Sequence, residues 1–174
     1  MPQTLAALLA VLVLSLYALG QHRSEAALER GAISGEMEMT VAEVAREILT
    51  EASQRAFDEG DLGREDLRFD TRGLSVALGP EAGENVMVDF DDVDDFDGYS
   101  ATVTRQRNGQ QLDVRVLVIV RYVQPDAPGT VSAVPTLAKE VVVTATDALT
   151  AYGRAPVGVT LNTFVTPSWK TIHG

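Results

Sequence analysis

The sequence predicts an α+β chain: a long N-terminal α-helix, apolar and then amphipathic, packed on a small antiparallel β-sheet head. Three observations predict it. Residues 1–21 carry no charged side chain. Apolar residues then recur at helical spacing to about residue 57. Beyond Asp61 the composition shifts to Val, Thr, Gly and Asp, in runs that alternate with the period of a strand. The expected division is a helix over 1–58, with 1–21 apolar and 22–58 amphipathic, and a β-rich head over 59–174.

The apolar run is LAALLAVLVLSLYALG, Leu5 to Gly20. Taken as a helix from about Gln3, it rises about 27 Å, close to the hydrocarbon thickness of a bilayer. Leu and Ala dominate, both strong helix formers. Tyr17 stands near one end, where an aromatic belt residue belongs. Ala18-Leu19-Gly20 also resembles the small-x-small site of a cleaved signal. A cleaved signal, a simple anchor and a helix that later becomes a filament core are the three readings of this run. The absence of Lys or Arg before it, and its direct continuation into a second helical pattern, favour the third.

Val41, Val44, Ala45, Ile48, Ala52 and Ala56 form one apolar stripe, with Glu43, Arg46, Glu47, Glu51 and Arg55 on the other side. Such a stripe must bury against something, and the head is the expected partner. Asp58, Gly60, Asp61 and Gly63 mark the stop. Gly20, Gly31 and Gly35 interrupt the helical pattern, each at a cost of about 1 kcal/mol relative to alanine in a helix interior. They are candidates for a hinge or for close helix packing.

In the head, 67–70 and 74–77 read as short strands, and 80–97 as a long acidic connection. TVTRQR-NG-QQLDVRVLVIVRYV is the strongest hairpin signal, since Asn108-Gly109 suits a turn with positive φ at both central residues. In the second strand Leu112, Val114, Val116, Val118, Val120 and Tyr122 share a face. Leu117 and Ile119 make the opposite face apolar too, so both faces are expected to be covered, one by the helix and one by a neighbour. Residues 124–135 hold three prolines and read as a loop. Strands are expected again at Lys139–Thr146 and Val157–Thr166, with Trp169 covering the sheet or a subunit contact.

The formal charge is −11. Thirteen acids against Arg64, Arg68 and Arg72 fall within residues 59–100. This repels phosphate backbones, so nucleic acid is not an expected partner. The chain has no cysteine, and its two histidines, His22 and His173, lie at its periphery. No nucleophile–base pair, phosphate loop or His/Cys metal cluster is visible, so no enzyme is expected. Asp91, Asp92, Asp94, Asp95 and Asp97 are the candidate ligands for a cation, and Ca²⁺ is the one cofactor the run suggests. The EF-hand pattern fails, because Phe96 and Tyr99 occupy would-be ligand positions. Val93, Phe96 and Tyr99 instead suggest a turn pinned by apolar residues, with the acids solvated or facing a basic surface of a neighbouring subunit.

A single N-terminal helix of this kind followed by a β domain resembles the type IV pilin and type II secretion pseudopilin superfamily. The run VDFDDVDDFDGYS, Val88 to Ser100, is similar to an acidic segment of minor pilins of mannose-sensitive haemagglutinin pili. Leu5 stands where the family usually carries a glutamate, and no basic leader is visible. The resemblance implies a pilin-like fold and a structural subunit of a helical filament. Leu5, Leu8, Leu9, Leu12, Leu16 and Leu19 would form the filament core. It further implies copies of the chain as partners, an inner-membrane stage before assembly, pilus or secretion machinery, and a final place in an extracellular filament or on the cell surface. A minor pilin or pseudopilin is the alternative within the family. A monomeric, membrane-anchored domain binding a cation or other ligand is the alternative outside it.

Overall fold

The computed structural model describes residues 2–61, 71–107, 109–148 and 156–167. Within these, the side chains of 2–8, 26, 27, 29, 30, 32, 33, 61 and 110 are not described. The expectations placed on Leu5 and Leu8 side chains, Gly63, the strand 67–70, Asn108, Trp169 and His173 therefore lie outside the described residues.

The backbone is helical over α1, Pro2–Gln54. It is shared between two compact units, Met1–Glu38 and Met39–Gly174. The expected pilin-like α+β class, built on a long N-terminal helix that is apolar and then amphipathic, is corrected here. Among the described residues no helix is long and apolar enough to cross a membrane. The helical stretches with described side chains are mainly 9–25 and 34–54. The architecture supported is helical segments with a five-stranded antiparallel sheet.

In the first unit the described side chains are exposed from Leu9 to Glu25. The glycines do not break the helix, and a methyl group built on Gly20, Gly31 or Gly35 would meet nothing within 4 Å.

In the second unit Val41, Val44, Ala45, Ile48 and Ala52 are all buried, as is Ala56 just past the helix end. Helical spacing put them on one side, and burial of that side stabilises the segment more than propensity does. The helix stops at Gln54, before the expected Asp58, because the chain is captured by the acidic segment. The Ala56 N–H donates to Asp91 O at 3.2 Å, the Val93 N–H donates to Ala56 O at 2.9 Å, and a parallel bridge joins Ala56 to Asp92.

The strands are β1 (Ser100–Arg107), β2 (Gln110–Gln124), β3 (Ala127–Val131), β4 (Lys139–Asp147) and β5 (Gly158–Val165). Their order is β1-β2-β4-β5, with β3 paired to the end of β2, and every pairing is antiparallel. Arg107 pairs with Gln110 across a two-residue turn, in which Gly109 takes a φ of 76°. The alternation in β2 buries Leu112, Val114, Val116, Val118, Val120 and Tyr122, joined by Val141, Val143 and Ala145 of β4. Each fully buried valine of this face contributes about 1.5–3 kcal/mol. Arg105 and Arg107 of β1 reach Glu47 and Glu43 of α1, the second pair at 3.2 Å. Leu117 and Ile119 point the other way and are each 45% exposed.

Two local expectations fail. Leu74–Ala77 is not a strand: Leu74 packs with Phe57 and Tyr122, and the Ser75 N–H donates to Asp58. The proline-rich stretch read as a loop contains β3, which pairs at Val123–Val131 and Gln124–Ala127 across a register shift. An edge position with few ladder bonds is where a strand tolerates a residue such as Pro128.

Candidate functional site

The acidic segment folds into a tight device between the helix exit and the sheet. A short 3-10 turn spans Asp94–Phe96. Asp92 Oδ1 accepts from the N–H groups of Asp94 and Asp95, at 2.8 and 3.3 Å. Asp95 Oδ2 accepts from those of Asp91 and Asp92, at 2.9 and 3.1 Å. The two carboxyls thus cap each other's backbone, which is the local preference of Asp at turns. Phe90, Phe96 and Tyr99 pack edge to face, with centroids 5.1–6.4 Å apart. The Asp92, Asp94 and Asp95 side chains are buried.

Beneath this turn lies a buried cation. Lys139 Nζ, at the start of β4, donates to Phe57 O at 2.6 Å, to Asp58 Oδ2 at 3.2 Å and to Asp94 Oδ1. It also sits over the Phe57 and Tyr122 rings, at 4.6 and 5.2 Å. Asp58 is fixed further by the N–H groups of Ser75 and Gly60, at 2.9 and 3.2 Å. Tyr122 Oη donates to Ser75 O at 2.8 Å and lies 3.3 Å from Asp58 Oδ2. Burial pushes the Asp58 carboxyl up, but Lys139 and the two backbone donors outweigh it, and the group titrates below its ordinary value. Burial, followed by the Asp58 charge, pushes the Tyr122 hydroxyl up. Asp92 is pushed up to about 9, first by burial and then by Asp94. Asp92 Oδ2 and Asp94 Oδ2 are both buried with no hydrogen-bond partner.

A second focus lies on the outer side of the same turn. Carboxylate oxygens of Glu81, Glu84 and Asp95 lie within 4.8 Å of one another. The Glu81 N–H donates to Glu84 Oε2 at 3.0 Å, closing a turn through Gly83, whose φ of 122° suits glycine. Burial, then the Asp95 and Glu84 carboxyls, pushes Glu81 up to about 7. Burial, then the Asp91, Glu84 and Asp95 charges, raises the nearby Glu59.

Of the five aspartates expected as cation ligands, only Asp95 joins a convergent group. Asp91 is exposed, with its backbone spent on Ala56 and Asp95. Asp92 turns inward and Asp94 binds Lys139. Asp97 Oδ1 accepts the Val120 N–H at 2.8 Å and ties the turn to β2. Asp97→Ala is therefore expected to destabilise the β unit by about 1 kcal/mol through loss of that bond. Urea denaturation with and without Ca²⁺ checks it, and the cost should be the same in both. Sequence reasoning missed Glu81 and Glu84, although their i,i+3 spacing across Gly83 was the available signal. It also missed Asp58 and Lys139, whose separation of 81 residues leaves no local signal.

Comparison of the chain with protein-family models, curated proteins and solved structures finds no match. The pilin resemblance rests on the sequence pattern alone.

Proposed function

We propose that this chain is a structural subunit that assembles with copies of itself, side by side, through the apolar part of α1. The observation carrying this reading is the exposure of Leu9, Leu12, Leu16 and Leu19, at 57, 57, 61 and 56%. Val11, Val13, Leu14 and Tyr17 are equally open, so the segment is apolar all round. A helix apolar on every side is covered on every side. Neighbouring copies of the same helix supply such cover, and a repeated, non-closing contact of this type produces a filament.

Leu12→Asp places a charge in that contact. The full chain is expected to sediment as filaments visible by negative-stain microscopy, whereas the variant stays dispersed with an unchanged melting transition of the β unit. Filaments from Leu12→Asp would sink the reading. So would a wild-type chain that partitions into lipid vesicles and remains monomeric there.

A further inference from the structure

We propose that Glu81, Glu84 and Asp95 form a Ca²⁺ site that fastens the 81–84 turn to the 3-10 turn at Asp94–Phe96. Ca²⁺ takes six to eight oxygen ligands at about 2.3–2.6 Å, so ligands on opposite sides of the ion lie about 5 Å apart. The three carboxylates already fall inside that span, within 4.8 Å of each other. Like charges at this range repel, so the cluster is held together by a shared proton or by a cation.

An independent observation comes from Asp95, which is 1% exposed. Its Oδ2 is held by two backbone N–H groups, which fixes the plane of the carboxylate. Its Oδ1 is buried with no hydrogen-bond partner. A buried acceptor left unmade is costly, and a cation bound by the Asp95 carboxylate together with the two glutamates removes that cost. Lys139 does not serve here, because its ammonium is committed to Phe57, Asp58 and Asp94. Glu81 is exposed and Glu84 half-buried, so water has access to complete the shell. Three protein carboxylates with the remaining ligands from water correspond to an affinity of about 10⁻⁴–10⁻³ M, the range of weak Ca²⁺ modules. The site's residues all belong to the unit Met39–Gly174, and its test stands apart from self-assembly.

The full chain, stripped with EDTA, is titrated with CaCl₂ and in parallel with MgCl₂ while the melting transition of the β unit is followed. CaCl₂ tenfold above the dissociation constant is expected to raise the melting temperature by about 3–6 °C. Glu81→Gln and Glu84→Gln, both at solvent-accessible positions, are expected to keep the fold and to weaken the Ca²⁺ response at least about tenfold. No shift at 10-fold the weaker limit of about 10⁻³ M would overturn the site. An equal response to MgCl₂ would mark general charge screening and overturn it as well. So would an undiminished Ca²⁺ response in the Glu81→Gln, Glu84→Gln double variant.

Discussion

Replacing Lys139 with alanine is expected to destabilise the β unit by about 3–5 kcal/mol, the cost of breaking a buried ion pair by removing one partner. Lys139 and Asp58 are fully buried, and Asp94 nearly so. Without the ammonium, Asp58 keeps its backbone donors from Ser75 and Gly60, but Asp94 Oδ1 loses its partner. The Phe57 carbonyl loses its donor as well. Two carboxyls and one carbonyl are then buried beside an empty volume, and water reaches them only if the helix exit opens. A shift of this size lowers the melting temperature by roughly 10–20 °C. Urea denaturation of the full chain, followed by circular dichroism, measures it. A loss below about 1 kcal/mol, the scale of an exposed ion pair, would mean that the ammonium is not holding the unit together.

Phe57→Ala is expected to cost a similar amount, about 3–5 kcal/mol, as for other large-to-small changes in a packed core. Phe57 is fully buried and clusters with Leu74 and Tyr122, against Leu78, Leu137 and Val165. Its ring carries one side of the Lys139 cage. The two substitutions share a site, so the double variant should lose clearly less than the sum of the single losses. Strict additivity in that cycle would show that the ring and the ammonium act separately.

The sheet was largely legible because its information is local. Alternation from Leu112 to Tyr122 and the KEVVVTAT run are enough to place β2 and β4, since each strand announces its own buried face. The Val41–Ala56 stripe was legible for the same reason. What failed involved partners distant in sequence. The helix end moved to Gln54 because Ala56 pairs with Asp92, and nothing near Ala56 announces that. Leu74–Ala77 left the strand pattern because Asp58 claims the Ser75 N–H. The apolar N-terminus misled at the level of class. Its composition read as the long first half of a pilin-like helix, whereas among the described residues no helix is long and apolar enough to cross a membrane. The density of acids near Asp91 pointed to a cation, but composition says nothing of direction. The turn spends Asp92 and Asp97 on the backbone and Asp94 on Lys139. Only Asp95 is left facing the glutamates.

The pairing of Ala56 with Asp92 makes residues 57–91 a closed excursion, pinned at both ends by backbone hydrogen bonds. The entropy of closing such a loop grows only with the logarithm of its length, about 0.6 kcal/mol for each doubling. A residue added in the exposed stretch Val86–Val88 would therefore leave the rest of the unit almost as stable as before. That stretch is where the chain can change size, and display a new surface, without renegotiating its foundation.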